Sequence, residues 1–263
     1  MTAAPMAPDL VAEAADLLAA VHRGGPQLSR LPPACRPASV AHAQQIVDAV
    51  AERLARPAAG WKTYFPFKAG QPALVSPVFE VLPNAAHIPP QVARLRMIEP
   101  EVVFVATRDL PPRERPYPAD EVADAVAAVP AFEVLDLRFS DISELLGGSP
   151  EAVFEAYADN SMNAGFVLGE PVADWRGIDF RSQRVVTAAD GEIISDVRGG
   201  HPVFDPFLLL PTGVDLLRER GGVRAGQIIG NHTVAGILTV RAGQRIVSEF
   251  AGLGTVEATY VDG

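Results

Sequence analysis

The chain has 263 residues, of which 48% are hydrophobic and 21% are charged, and its formal net charge is −10. This composition suits a globular protein with a sizeable core, and an acidic chain without a basic stripe is a poor partner for nucleic acid or a membrane surface. No apolar run reaches the about 18 residues of a membrane-spanning helix, so no transmembrane segment is expected. The single cysteine, Cys35, excludes an intrachain disulfide framework, and the predicted location is a reducing cytoplasm.

The first part of the chain has the periodicity of α-helices. Apolar residues recur at helical spacing over residues 9–22, with Asp9 as a candidate N-cap. Because this segment is acidic and lacks a basic N-terminal region, it is typical of an amphipathic helix rather than a signal peptide. Ser39 is a candidate N-cap for a second helix over residues 40–55.

Beyond Gly60 the pattern changes to short β-strands joined by turns. Between them we predict a loop over residues 68–77, one helix within residues 111–129, and a helix over residues 205–222 in which Pro211 kinks or breaks the first turn. The predicted strands cover residues 60–67, 78–82, 97–110, 129–139, 226–231, 235–240, 244–250 and 255–261, together with a hairpin over 184–196 that turns at Asp190-Gly191.

These elements predict an α+β, β-rich fold. A helical N-terminal portion, residues 1–58, leads into one β-rich domain, residues 59–263. No long linker separates the two parts, so we expect one continuous structural unit.

Three glutamates stand inside two of the predicted strands. Glu99 and Glu101 belong to the sequence IEPEVVFV, and Glu133 belongs to PAFEVLDLRF. Side chains alternate between the two faces of a strand, so Glu99 and Glu101 share a face. Pro100 lies between them, and because proline suits the start or the edge of a strand, we expect both carboxylates near the end of a sheet. Three converging carboxylates are costly to bury unless a hard divalent cation neutralises them.

The spacing of these glutamates alone is equally compatible with a second interpretation. They are then ordinary carboxylates at strand edges, solvated or paired with Arg94, Arg96 or Arg138. A Glu-x-Glu pair in a strand is a weak motif, and it does not decide between a metal site and such ion pairs.

The order and spacing of several segments resemble the hydratase/decarboxylase branch of the fumarylacetoacetate hydrolase superfamily, which includes 2-keto-4-pentenoate hydratase and 4-oxalocrotonate decarboxylase. The resemblance extends from about Leu10 to the C-terminus. The segments that carry it are GWK at 60–62, IEPEVVFV at 98–105, PAFEVLDLRF at 130–139, ADNSMNAGFVLG at 158–169, RAGQIIGNHT at 224–233 and SEFAGLGTVEATYV at 248–261. It implies a mixed β-sandwich roll preceded by N-terminal helices.

The resemblance also implies a site and a reaction. Glu99, Glu101 and Glu133 are expected to bind Mg²⁺ or Mn²⁺, and Lys62 is expected to be the catalytic acid or base; without the resemblance, Lys62 would be taken for an exposed strand lysine. The implied substrate is a small unsaturated 2-oxo acid from the breakdown of aromatic compounds. The metal withdraws electrons from its keto group and stabilises an enolate. A homo-oligomer is also expected.

The reaction itself is left open among four alternatives. The first is addition of water to 2-hydroxypenta-2,4-dienoate, which gives 4-hydroxy-2-oxopentanoate. The second is a 4-oxalocrotonate-type decarboxylation, in which the same electron sink accepts the electrons released with CO₂. An acylpyruvate-type C–C hydrolase is the third alternative, and an inactive assembly partner is the fourth.

Several positions depart from the pattern of the family. Hydratases carry an aspartate where this chain has Val78, and a Gly-Ser/Thr turn near the C-terminus is replaced here by a segment containing His232. Val78, Asp159, His201 and His232 are therefore the candidate substrate-binding residues. For Asp159 a local turn-forming role is favoured over substrate contact. Each histidine could equally be a loop residue bonded to backbone, and Arg138 could bind an anionic substrate or pair with Asp136 or Asp141.

Overall fold

The computed structural model describes residues 4–65, 72–147 and 152–261. Backbone proximity divides the chain into two units. The first unit comprises Met1–Pro57, Tyr64–Pro77 and Leu137–Asn163, and the second comprises Ala58–Thr63, Val78–Asp136 and Ala164–Gly263. The chain first passes from one unit to the other between Pro57 and Ala58, one residue from the predicted division at 58/59. The division into a helical portion and a β-rich domain stays a prediction.

Within the described ranges the chain forms helices first and mostly strands afterwards. The α-helices are α1 Pro8–His22, α2 Val40–Leu54, α3 Ala119–Ala123, α4 Ile142–Gly147, α5 Ala152–Ala158 and α6 Leu210–Arg218. The strands are β1 Gly60–Tyr64, β2 Leu74–Val78, β3 Val81–Leu82, β4 Ala86–Ile88, β5 Met97–Ala106, β6 Val126–Leu135, β7 Asn163–Leu168, β8 Arg184–Ala189, β9 Glu192–Arg198, β10 Ile228–Gly230, β11 Leu238–Thr239, β12 Arg245–Phe250 and β13 Gly254–Tyr260. The predicted α+β, β-rich class with N-terminal helices is confirmed.

The two predicted N-terminal helices are present, and one of the two predicted caps is correct. Helix α1 begins after Ala7, which makes no side-chain cap, so Asp9 lies in the first turn rather than at the N-cap. At the start of α2, the Ser39 hydroxyl accepts a hydrogen bond of 3.2 Å from the backbone N–H of His42. This bond satisfies one of the donors that the first turn of a helix leaves free.

The boundaries of most other predicted elements also shift, and three of these shifts change the element itself. The predicted loop over residues 68–77 is wrong at its end, because β2 begins at Leu74; residues 66–71 lie outside the described ranges. The predicted strand 60–67 ends at Tyr64 within the residues that can be described. The predicted helix 205–222 is broken, since a 3₁₀ turn over Pro206–Leu208 precedes α6, and Pro211 stands in the first turn of that helix.

The second unit is built on two mixed sheets, each with parallel and antiparallel pairs. In the first, β1, β10, β5, β6, β7 and β3 are neighbours in that order, and β11 also pairs with β5. In the second, the order is β4, β13, β12, β8 and β9. The β8–β9 hairpin turns at Asp190 and Gly191 as predicted, and both residues have positive φ, 51° and 86°, as a two-residue hairpin turn requires.

The long antiparallel pair β5–β6 forms the centre of the first sheet. Its register is continuous from Met97 opposite Leu135 to Ala106 opposite Val126. Apolar side chains on one face form a fully buried cluster that includes Val103, Ala131 and Phe166. This cluster fixes the two strands beside each other and thereby fixes the side chains that continue the same face.

Membrane insertion through a helix has no support in the described residues. None of the helices there combines the length and the apolar character that crossing a bilayer requires.

A buried ion pair stabilises the first unit. Asp159 accepts hydrogen bonds of 2.6 Å from both the backbone N–H and the Nε of Arg138, and neither side chain is more than 5% exposed. The sequence-based alternative of a pair between Arg138 and Asp136 or Asp141 is therefore wrong, while a substrate contact stays a prediction. Asp136 instead binds Arg94 in the second unit.

We predict that Asp159→Ala lowers the free energy of unfolding by about 3–5 kcal/mol, because it leaves the Arg138 guanidinium buried without its counter-charge. Asp16→Ala is the control, since Asp16 is 70% exposed in its ion pair with Arg53 and its loss should change stability by less than about 1 kcal/mol. Urea unfolding of both variants measures the difference. Equal losses would show that the Asp159 pair contributes no more than a surface pair.

Candidate metal centre

The three predicted glutamates lie together on one face of the β5–β6 pair. Glu99 stands directly opposite Glu133, and Glu101 stands opposite Ala131, two residues further along. One carboxylate oxygen from each of the three glutamates lies within 4.8 Å of the others. The face alternation deduced from the sequence is thus confirmed, and the strand register brings the third carboxylate to the first two.

Burial distinguishes this cluster from ordinary surface carboxylates. Glu101 and Glu133 are 0% exposed, and Glu99 is partly buried. Both carboxylate oxygens of Glu101 are buried and accept no hydrogen bond from any residue in the described part of the chain. A buried acceptor without a donor is unfavourable, and for a carboxylate the cost is large. The sequence-based alternative of solvated strand-edge glutamates is therefore wrong for Glu101 and Glu133.

Pro100 occupies a different position from the one expected. It lies inside a central strand, where β5 has β6 on one side and both β10 and β11 on the other. The Pro100 carbonyl accepts from the backbone N–H of Val234 and from the hydroxyl of Thr233. The missing N–H of Pro100 faces the same side, between the stretches where β10 and β11 pair with β5, so no ladder bond is lost there. The expectation that the carboxylates lie near the end of a sheet was wrong. They lie inside the sheet, where the pairing on one side of β5 is interrupted between β10 and β11.

Lys62 reaches the cluster from β1. Its Nζ lies 2.7 Å from Oε1 of Glu133, and the Lys62 side chain is 11% exposed. Strand β1 runs parallel to β10, with Lys62 opposite Gly230. Lys62 is therefore a buried member of the acidic site and not an exposed strand lysine.

A glycine provides the space for these side chains. A Cβ atom added at Gly230 would lie 3.0 Å from Oε2 of Glu101 and 3.0 Å from the ring of Phe166. Such contacts are tighter than normal van der Waals packing, so a larger residue would push against the Glu101 carboxylate. The sequence analysis did not predict this role of Gly230. No local signal in GQIIGNHT distinguishes it from other glycines in strands.

The electrostatics of the site follow from this crowding. Burial raises the pKa of Glu99 to about 7, the Lys62 ammonium opposes the rise, and Glu133 adds to it. Burial and the neighbouring carboxylates raise the pKa of Glu101 well above its usual range. For Lys62, burial acts to lower the pKa, but the three negative neighbours outweigh it and raise that pKa. In the absence of a cation, these shifts favour a proton on Glu99 and Glu101 and keep the Lys62 amine protonated.

The four candidate substrate-binding residues do not form one group. Val78 is 0% exposed and belongs to the apolar cluster that contains Ala131 and Phe166, so it presents no polar group to this site. Asp159 lies in the first unit and is engaged by Arg138. The favoured local role of Asp159 agrees with this ion pair.

His201 and His232 do meet, in the second unit. Their rings contact edge to face with centroids 5.9 Å apart. His201 is 2% exposed and hydrogen-bonded through Nε2 to Oδ1 of Asn231 at 3.0 Å. Burial lowers the pKa of His201, which favours a neutral ring. The sequence analysis did not single out Asn231, although it lies between Gly230 and His232 in the segment GNHT.

The arrangement of the site suits a hard divalent cation. Carboxylate oxygens are the preferred ligands of Mg²⁺ and Mn²⁺, and three of them converge where Glu101 has no donor within the described residues. Arg94 and Arg138, two of the three arginines considered as alternative partners of these glutamates, bind Asp136 and Asp159 instead. The donor set and the unsatisfied buried oxygens therefore fit a metal ion.

Comparison with known proteins agrees with the resemblance of the sequence. The chain is 29% identical over 184 residues to 2-keto-4-pentenoate hydratase from Burkholderia vietnamiensis, which covers 70% of the chain and 65% of that protein. It is 29% identical over 153 residues to 4-oxalocrotonate decarboxylase from Pseudomonas putida, covering 55% of the chain and 54% of that protein. Both alignments span less than two thirds of these relatives. No family model matches the chain.

The chain is a homologue of these hydratases and decarboxylases. Its fold also matches a solved structure of 4-oxalocrotonate decarboxylase from Pseudomonas putida G7 in complex with magnesium and adipate. The TM-score is 0.77 at 19% identity, over 97% of this chain and 98% of that one. The predicted resemblance is thus confirmed by homologues named as hydratases and decarboxylases, and the fold is confirmed over nearly the full length.

We predict that Glu101→Gln weakens Mg²⁺ binding by more than about 100-fold, since it replaces a charged ligand by an amide. In the metal-free protein the same change should leave the melting temperature equal to or above that of the wild type, because it removes a buried carboxyl that lacks a donor. Isothermal titration and thermal melts measure the two effects. Glu249→Gln, at an exposed position on β12, is the control, and unchanged Mg²⁺ affinity in Glu101→Gln would refute the assignment.

The Mg²⁺ affinity should also depend on pH. Because the pKa of Glu99 is raised to about 7, this carboxyl is protonated and a poor ligand below that pH. The affinity is expected to rise between about pH 6 and pH 8, by up to about tenfold per pH unit for each proton displaced. Titration in buffers of different ionisation enthalpy should detect the released proton. Equal affinities at both ends of this range would contradict the prediction.

Proposed function

We propose that this protein is a divalent-metal-dependent hydratase that adds water to a small unsaturated 2-oxo acid of the 2-hydroxypenta-2,4-dienoate type. The observation that carries the proposal is the buried cluster of three glutamates with Lys62 held at 2.7 Å from one of them. The similarity to 2-keto-4-pentenoate hydratases supports the choice of reaction.

Glu99, Glu101 and Glu133 would hold the cation, and we propose Mg²⁺ or Mn²⁺ because all three ligands are carboxylates. When bound, such an ion withdraws electrons from the keto oxygen of a 2-oxo acid. Related solved structures contain magnesium or Mn²⁺ together with a small carboxylic acid.

Lys62 would move the protons of the reaction. Hydration of a dienol requires a proton to be given to carbon and another to be removed from water. Lys62 carries a proton on Nζ, in hydrogen-bond contact with Oε1 of Glu133. Positive charge added among the three glutamates opposes the effect that raises the pKa of Lys62, so this amine would release its proton more readily in the loaded site.

Decarboxylation of a 4-oxalocrotonate-type acid is the second candidate, and two observations favour it. Val78 stands where hydratases of this family carry an aspartate, and it is fully buried among apolar side chains. The fold matches 4-oxalocrotonate decarboxylase over 97% of the chain. This alternative uses the same glutamates, so the choice between the two reactions depends on the groups around the far end of the substrate.

Two assays with Mg²⁺ distinguish the candidates. Ultraviolet decay of 2-hydroxypenta-2,4-dienoate, with 4-hydroxy-2-oxopentanoate as the product, supports the hydratase. Release of CO₂ from 4-oxalocrotonate without dienoate hydration supports the decarboxylase. If neither substrate turns over while Mg²⁺ and oxalate bind, an acylpyruvate-type hydrolase is the next reaction to assay, and absence of both binding and turnover favours the inactive assembly partner.

We predict that Lys62→Met lowers kcat by about 10²–10⁴-fold, because it removes the group that gives and takes protons. The variant should bind Mg²⁺ at least as tightly as the wild type, since the competing ammonium beside Glu133 is absent. The dienoate decay assay and Mg²⁺ titration measure these effects separately. A kcat within a factor of about ten of the wild type would exclude Lys62 as the catalytic acid or base.

The remaining expectations are proposals of the same kind. Cytoplasmic location, a role in the breakdown of aromatic compounds and assembly into a homo-oligomer all stay predictions.

A further inference from the structure

The segment from Gly230 to Val234 passes directly beside the proposed metal ligand Glu101. Gly230 lies so close that a Cβ there would be 3.0 Å from Oε2 of Glu101, and Thr233 forms a β-bridge with Glu101. The Thr233 hydroxyl and the Val234 N–H both donate to the carbonyl of Pro100. The position of this segment therefore sets the space available to the Glu101 carboxylate.

Asn231 anchors the other side of this segment. Its side chain is fully enclosed, at 1% exposure for the residue, and its Nδ2 donates to the carbonyl of Pro206 at 2.9 Å. Its Oδ1 lies 3.0 Å from Nε2 of His201, which is 2% exposed. Buried amide and imidazole groups that satisfy each other in this way hold a single geometry, because breaking either bond leaves an unpaired polar group in the interior.

The directions of these hydrogen bonds define the state of His201. Because Asn231 uses its amide N–H on Pro206, its Oδ1 is the acceptor and Nε2–H of His201 is the donor. The other ring nitrogen, Nδ1, accepts from the backbone N–H of Val203 at 3.3 Å. A neutral ring with the proton on Nε2 satisfies both contacts, whereas a proton on Nδ1 would oppose the Val203 N–H.

We propose that His201 is a positioning residue: through Asn231 it holds the Gly230–Val234 segment in the place that leaves Glu101 free to bind a metal ion. Both ring nitrogens are engaged by the protein, so His201 does not act as the acid or base of the reaction. The proposal rests on the function proposed above, because it takes Glu101 as a metal ligand.

Mg²⁺ titration of three single variants tests the proposal. His201→Leu removes the donor to Asn231 and should weaken Mg²⁺ binding by about tenfold or more, the usual effect of removing a residue that orients a ligand. His201→Gln retains an N–H donor and should stay within about threefold of the wild type. His87→Leu, at an exposed histidine on β4, is the matched control and should leave the affinity unchanged.

Two measurements keep the outcome unambiguous. If the wild type binds no Mg²⁺, the proposed function fails. If the wild type binds Mg²⁺ and folded His201→Leu binds it with the same affinity, only the positioning role is overturned. If His201→Leu does not fold, ¹⁵N spectra of the histidine rings in the Mg²⁺-loaded wild type decide, with His201→Gln used to assign the signal. A neutral ring protonated on Nε2 supports the proposal, and a ring protonated on Nδ1, alone or together with Nε2, overturns it.

Discussion

The site depends on one electrostatic imbalance: within the described residues, three carboxylates lie beside one ammonium, that of Lys62. Lys62 pairs with Glu133, but Glu101 accepts no hydrogen bond within the described residues. The excess negative charge can be neutralised in two ways. Protons bind to the carboxylates at low pH, and a divalent cation neutralises them when one is present. The raised pKa of Glu99 and the proposed metal affinity are consequences of the same crowding. A protein that only needed stability would gain by replacing Glu101 with an apolar residue, so its burial is best explained by binding.

The sheet imposes this imbalance through its register. Glu99 faces Glu133 because the β5–β6 ladder is continuous over its length, and Lys62 arrives from β1 across the short strand β10. The interruption between β10 and β11, with Pro100 opposite it, places a non-repetitive segment next to Glu101. Substitutions in that segment are therefore a means of altering the site without changing its ligands, and His232 and Asn231 are two such residues.

The sequence predicted local features well and the position of the site less well. Alternation placed Glu99 and Glu101 on one face, and Asp190-Gly191 predicted the hairpin, because both depend on neighbouring residues alone. The position of Pro100 was predicted wrongly, because a proline is also tolerated inside a sheet where the neighbouring strand is interrupted. That interruption depends on residues far away in the sequence. The buried pair of Arg138 and Asp159 and the contact of His201 with Asn231 join residues 21 and 30 positions apart. No periodicity or motif indicates such pairs.

The central claim is that Glu99, Glu101 and Glu133 hold a divalent cation. Anomalous scattering from crystals grown with Mn²⁺ and oxalate tests it most directly, because the signal locates the ion independently of activity. The account predicts one peak within bonding distance of all three carboxylates, with oxalate completing the coordination. The claim would be contradicted if crystals with saturating Mn²⁺ showed no anomalous peak between the three carboxylates and Lys62 remained paired with Glu133.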